Sequence, residues 1–214
     1  MATEGNSFQF IALAGNIGAG KSSLTTLLAK HFNWKAYYES ADNNPYLSDF
    51  YDDMRRWSFN LQIYFLSSRF RSQKNMIKAG ESFIQDRTIY EDAEIFARNL
   101  YEMGLMSKRD YDNYGALFHE MVSYLTPPNL LVYLKADVST LVRQIEQRGR
   151  DYENTISIDY LKRLNLLYED WIKRYPYDKL IVETDNLDFV SNREDLGKII
   201  SMIEQRQFGL FSSR

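Results

Sequence analysis

The sequence predicts an α/β protein built on a parallel, five-stranded sheet with helices on both faces. Five short apolar runs alternate with helical patterns, as in βα units that close a parallel sheet. The first run leads into Gly15–Ser22, GNIGAGKS, which fits G-x-x-x-x-G-K-[ST] and is followed by a helical pattern. The second and third runs each end on a carboxylate, Glu39 and Asp86. Ligands of such sheets bind beyond the carboxyl ends of the strands, so these features should share one rim.

Taken in order, residues 8–14 (FQFIALA) read as a buried strand. The turn after it should let backbone N–H groups close around phosphate oxygens, helped by the positive end of the next helix. That assigns Gly15, Asn16, Ile17, Gly18, Ala19, Gly20, Lys21, Ser22 and Ser23 to a nucleotide-phosphate cradle. Lys21 can reach the β- and γ-phosphates, and the Ser22 hydroxyl can help hold Mg²⁺. The following helix carries Leu24, Leu27, Leu28 and His31 on one face.

Residues 35–39 (KAYYE) read as the second strand, and 41–45 (ADNNP) as loop. From 46 to 79 the pattern is helical, in two pieces expected to meet near Trp57. Phe59, Gln62, Leu66, Arg69, Phe70 and Gln73 share a face by their spacing. Gln62 and Arg69 make that face unlike a plain core stripe, because an unpaired buried guanidinium is costly. The alternative is that both lie at the solvent edge.

Gly80 ends the helix, and residues 82–86 (SFIQD) form the third strand, followed by Arg87. Residues 89–101 are helical, with Asp92 and Phe96 one turn apart, and a polar helical stretch runs on to Tyr124. Residues 130–134 (LLVYL) are the clearest buried strand, and the helix over 138–147 ends in Arg148-Gly149-Arg150. A helix over 158–175 turns Leu161, Leu164, Tyr168 and Trp171 to the core. Residues 179–182 (KLIV) are the fifth strand, and Leu196, Ile199, Ile200 and Ile203 line the last helix. His31 and His119 have no motif around them and read as structural.

Composition narrows the function classes. A chain of 214 residues supports one sizeable core, expected over 8–206, with a short flexible lead-in over 1–7 and a tail over 207–214. The net charge of −3 lacks the basic excess of a polynucleotide-binding surface. The absence of cysteine removes disulfides and thiolate metal sites, and suits a reducing, cytoplasmic setting. No apolar run approaches the ~18 residues of a membrane span, and MATEGNSF has no signal-peptide pattern.

From the phosphate loop to about Glu153 the motifs resemble the deoxyribonucleoside kinase family, and within it most closely the bacterial deoxyadenosine/deoxyguanosine kinases. Tyr38-Glu39 with Asp42-Asn43-Asn44-Pro45 is similar to the bacterial members. Trp57-Ser58-Phe59, Gln62, Tyr64 and Arg69 match the substrate-binding helix; Asp86-Arg87-Thr88 matches the acidic-Arg-Ser/Thr motif. Tyr90, Asp92 and Phe96 follow, and Arg148-Gly149-Arg150 with Glu153 matches the arginine lid.

The resemblance implies a P-loop kinase fold with an arginine lid and ATP- and Mg²⁺-dependent 5′-phosphorylation of deoxyribonucleosides in nucleotide salvage. Deoxyadenosine would be the first acceptor, with deoxyguanosine and deoxycytidine as further ones. Glu39 would be the general base, Arg87 would lie beside it near the 5′-oxygen, and Lys21 would act on the donor phosphates. Asp86 would hold Mg²⁺ beside Ser22, directly or through water. Gln62, the Arg69–Asp92 pair and Phe96 would bind the base, and Tyr51 and Glu153 the sugar. Arg148 and Arg150 would close over the phosphates. Gln144 departs from the further lid arginine of eukaryotic members, and Asp86 is shorter than the Glu many members carry. The family implies a homodimer.

Two rival readings are open to the same sequence. A nucleoside monophosphate kinase would need a basic residue for its acceptor's phosphate, and Arg69 is the candidate. A nucleotide-dependent switch would need a water-positioning residue, for which the sequence gives no signal.

Overall fold

The computed structural model of the chain describes residues 8–38, 44–149 and 156–209. Five strands form one sheet in the order β2-β3-β1-β4-β5. They are β1 (Phe10–Gly15), β2 (Lys35–Tyr37), β3 (Phe83–Asp86), β4 (Leu130–Lys135) and β5 (Lys179–Glu183), and every pairing is parallel. The helices are α1 (Lys21–Phe32), α2 (Leu47–Asp52), α3 (Met54–Ala79), α4 (Ile89–Glu91), α5 (Arg98–Glu102), α6 (Lys108–Val122), α7 (Val138–Arg148), α8 (Ile158–Arg174) and α9 (Arg193–Phe208). A π-helical segment, Asp92–Ala97, joins α4 to α5.

β1 is buried along its whole length, which is why it reads as continuous apolar sequence rather than alternation. Successive side chains still point to opposite faces. Ile11 and Leu13 pack with Leu24 and Leu28 of α1 and Ile199 and Ile203 of α9. Phe10, Ala12 and Ala14 pack with Leu164, Tyr168 and Trp171 of α8. A third apolar cluster, including Phe50, Leu66, Ile89, Leu100, Tyr114 and Phe118, lies among the helices of the central third.

The register positions the site. Leu13 pairs with Asp86 on one side of β1 and Gly15 with Leu134 on the other. The chain crosses from β3 past β1 to β4, so the loop after β1 opens at the point where strand order reverses, the usual crevice of such sheets.

Two local expectations change. α2 and α3 meet at Asp53 and not near Trp57, because the Asp53 carboxylate accepts from the Arg56 N–H at 3.0 Å and caps α3. The helix around Asp92 widens into π geometry, with the Arg98 N–H bonding back to the Ala93 carbonyl. No helix among the described residues is long and apolar enough to cross a membrane.

Candidate active site

The loop after β1 shows why it needs glycine. Gly18 and Gly20 have φ of 85° and 84°, a region L side chains enter at a cost of roughly 1–2 kcal/mol. A Cβ on Gly18 would also meet the Leu141 carbonyl oxygen at 2.8 Å, and one on Gly20 the Phe189 ring at 2.7 Å. Asn16 fastens the loop to α8 by donating to the Leu161 carbonyl at 3.0 Å and to Asn165 Oδ1 at 2.6 Å. Its own Oδ1 accepts the Ile17 N–H. Gly20 is the N-cap of α1 and brings no side chain, so the first-turn N–H groups stay available to an anion. Lys21 is buried, with Nζ 2.9 Å from the Asn16 carbonyl oxygen.

Beside the loop, Ser22 Oγ donates to Asp86 Oδ2 at 2.5 Å. Asp86 is 2% exposed, and its Oδ1 has no hydrogen-bond partner. A hydroxyl and a carboxylate with one uncommitted oxygen are the hard donors Mg²⁺ takes. No group of three or more His, Asp or Glu that could hold a metal occurs among the described residues. Mg²⁺ is commonly held by one or two carboxylates with phosphate oxygens and water, so this pair suits it.

Arg87, the next residue, is one of two described non-glycine residues with positive φ, at 68°. Such a conformation persists where surroundings over-determine it. Its N–H donates to the Leu13 carbonyl at 2.9 Å, its own carbonyl accepts from Arg69 Nη1 at 3.3 Å, and its guanidinium carbon lies 4.3 Å from the Phe96 ring centre.

Arg69 is not at the solvent edge. It is 6% exposed, and it donates to both Asp92 oxygens, from Nε at 2.7 Å and from Nη2 at 3.1 Å. A planar fork on a planar carboxylate is the geometry that offsets burial of both charges. Asp92 lines the main cavity, while Arg69 lines a separate, smaller one with Tyr37, Phe65 and Gln85. Gln62 is 3% exposed and its Oε1 has no hydrogen-bond partner.

One cavity gathers most of the predicted residues. Gly18, Lys21 and Ser22 line it from the phosphate loop, and Tyr51, Gln62, Asp92 and Phe96 from the helices of the central third. Ile17, Asp86, Arg87 and Arg148 also face it. A second cavity, which shares Gly18, Lys21, Ser22 and Arg148 with the first, is lined also by Gly20, Ser23, Arg143, Gln144, Asp185 and Asn186 among others. Gly15, Asn16 and Ala19 line neither; they end the strand, tie the loop to α8 and fill the core. Glu39, Arg150 and Glu153 lie outside the described residues. His31 pairs with Glu204 at 3.2 Å, away from the cavities.

The sequence reading missed several lining residues: Phe50, Phe65 and Tyr160 wall the first cavity. Burial pushes the Tyr160 hydroxyl up to about 12, partly opposed by its hydrogen bond with Asn99 and by Arg87, so it stays protonated. Glu91, wholly buried next to Arg87, was missed as well. Thr88-x-x-Glu91 does read as a capping box, but its contacts with Gly15 and Tyr168 are distant in sequence.

Comparison with known proteins places the chain in one family and matches its fold. A sequence model described as deoxynucleoside kinase matches residues 11–207. The chain is 43% identical over 198 residues to the deoxyadenosine/deoxycytidine kinase of Bacillus subtilis, covering 90% of each chain. It is 39% identical over 204 residues to the deoxyguanosine kinase of Lactobacillus johnsonii, again covering 90% of each. Among solved structures, M. mycoides deoxyadenosine kinase with bound dATP superposes with a TM-score of 0.81 at 29% identity, over 92% of this chain and 99% of that one.

Proposed function

The chain belongs to the deoxynucleoside kinase family, and from that premise we propose that it phosphorylates the 5′-hydroxyl of deoxyribonucleosides with ATP and Mg²⁺, in nucleotide salvage. Deoxyadenosine is the proposed first acceptor, with deoxyguanosine and deoxycytidine as further ones. The observation that carries the reading is that one cavity joins the phosphate loop to a polar pocket walled by Gln62, Asp92 and Phe96.

In this reading the phosphates of ATP lie on the loop N–H groups and Lys21, and the donor's base lies toward Asp185 and Asn186. The acceptor base lies in the part of the cavity lined by the helices of the central third. Gln62 offers an adenine edge one donor and one acceptor side by side. Phe96 stacks on the base and Tyr51 faces the sugar, with Glu153 assigned to it by resemblance alone. The 5′-oxygen attacks the γ-phosphorus, the bond to the bridging oxygen breaks, ADP leaves, and the hydroxyl proton passes to Glu39. Such a carboxylate chiefly orients the nucleophile, while positioning and electrostatics carry most of the rate. Arg87 and Arg148, with Arg150 by resemblance, offset charge on the transferred group. Ser22 and Asp86 would hold Mg²⁺, which supplies charge neutralisation between the phosphates when bound.

The monophosphate-kinase alternative loses its residue, since Arg69 is committed to Asp92 and would not be open to an acceptor phosphate. A homodimer and a cytoplasmic location are parts of the same proposal; the dimer rests on family resemblance and the location on the cysteine-free composition. A coupled assay with purified protein, ATP and each of the four deoxyribonucleosides tests the reading. The expected result is the highest kcat/KM with deoxyadenosine. Nucleoside-independent ADP release alone, or faster turnover of deoxynucleoside monophosphates, would overturn it.

A further inference from the structure

Arg87 is held in place from the core by two residues without an assigned role. Its Nη1 donates to the Tyr168 hydroxyl at 3.0 Å, and that hydroxyl donates to Glu91 Oε1 at 2.8 Å. The phenol can serve both partners because an O–H group donates once and still accepts. Arg87 Nη1 also lies 4.0 Å from Glu91 Oε1, so the carboxylate sits behind the hydroxyl on the same line of charge. Tyr168 is fully buried and its ring stacks against Tyr133 of β4 at 5.7 Å, which fixes the hydroxyl from the sheet.

Glu91 joins this arrangement to the donor loop. Its Oε1 accepts the N–H of Gly15, where the phosphate loop begins, at 3.4 Å, and its Oε2 accepts Thr88 N and Oγ1 at 2.7 and 3.2 Å. Every one of these contacts donates to the carboxylate, which suits a group that only accepts. A helix cap alone would need the Thr88 contacts and nothing more. The additional bonds reach the start of the phosphate loop and, through one hydroxyl, the guanidinium of Arg87, a residue that lines the cavity.

We propose that Tyr168 and Glu91 are positioning residues that fix the Arg87 guanidinium relative to the phosphate loop, resting on the reading of Arg87 as a group that meets the transferred phosphoryl. Arg87 would then arrive at the reacting atoms already oriented, and the benefit would fall on kcat. Displacement of a catalytic group by about 1 Å can lower rate on the order of 10²-fold.

The test compares Tyr168→Phe, Glu91→Gln, Arg87→Ala and the Tyr168→Phe/Arg87→Ala double variant of the full chain with ATP and deoxyadenosine. Tyr168→Phe keeps the buried ring and removes only the hydroxyl. The expected result is a kcat lowered roughly 10- to 100-fold with nucleoside KM little changed. Glu91→Gln should behave alike, and Tyr168→Phe should have no further effect once Arg87 is gone. Near-normal kcat in Tyr168→Phe beside a severe loss in Arg87→Ala overturns the positioning role and leaves the reading of Arg87 intact. Near-normal kcat in Arg87→Ala overturns both. An equal loss from Tyr168→Phe with and without Arg87 assigns the hydroxyl to folding and overturns the proposal.

Discussion

Ser22, in the first turn of α1, and Asp86, the last residue of β3, share a 2.5 Å hydrogen bond that leaves Asp86 Oδ1 without a partner in a buried position. A buried acceptor left unmade costs about 1–3 kcal/mol, so the arrangement is stable at a discount that a cation or its water would recover.

Asp86→Asn should therefore need more Mg²⁺. The amide keeps the volume and can still bond Ser22, but it carries no charge for the metal. The half-saturating Mg²⁺ concentration should rise by at least about tenfold, since an outer-shell carboxylate is worth that much in metal affinity. A Mg²⁺ titration of the rate decides it, and an unchanged midpoint would remove Asp86 from the metal site.

Glu39→Gln should lower kcat by about 10²–10⁴-fold, the usual contribution of a positioned general base, and leave nucleoside binding largely intact. Single-turnover kinetics with binding measured by calorimetry separates the two. Near-normal turnover would take Glu39 out of the mechanism.

Gln62→Leu should move stability and binding in opposite directions. Gln62 Oε1 is buried and unpartnered in the free protein, so replacing the amide with an apolar group should leave the melting temperature unchanged or raise it. Purine nucleoside binding should weaken by about 1–3 kcal/mol, because the base edge would lose its partner. Calorimetric titration beside thermal unfolding reads both, and equal affinity would place the base elsewhere.

These residues differ in how readily the sequence betrays them. The phosphate loop was legible because its glycines answer a local demand: positive φ and no room for Cβ at Gly18 and Gly20. The sheet was legible because strands buried on both faces must be apolar throughout, as β1 is. Arg69 was only half legible. Its helix face marked it as unusual, but its partner Asp92 lies 23 residues away, and only the family resemblance named the pair. Glu91 and Tyr168 were hidden altogether, one as a helix cap and the other as a core aromatic, since nothing local requires them to meet. The break at Asp53 was legible in principle, as an N-cap followed three residues later by the N–H it accepts.

Asp92→Ala should be among the most destabilising single changes at the site. Both partners are nearly inaccessible, at 5% and 3% side-chain exposure, so the variant would leave the buried Arg69 guanidinium without the carboxylate that balances its charge. Removing one member of a buried pair typically costs about 3–5 kcal/mol. Replacing both residues with apolar ones should recover part of that loss. Urea unfolding of the two variants reads the difference, and a loss near the ~0–1 kcal/mol of a surface pair would mean that water reaches Arg69.

Gly20→Ala meets two separate obstacles, and they can be told apart. The new Cβ would stand 2.7 Å from Phe189 Cζ, and φ would remain at +84°. Phe189 is 4% exposed among core neighbours, so its ring has little room to retreat. Shortening it with Phe189→Leu should relieve the clash and leave the backbone strain of roughly 1–2 kcal/mol in place. The double variant should therefore be more stable than the sum of the singles by about 0.5–3 kcal/mol, the range of coupling between residues in contact. KM for ATP should rise in Gly20→Ala and fall part of the way back in the double variant, because the N–H groups of the loop could then return toward their native directions. Strictly additive stabilities would mean that Phe189 does not hold the loop, and that φ alone makes glycine necessary at position 20.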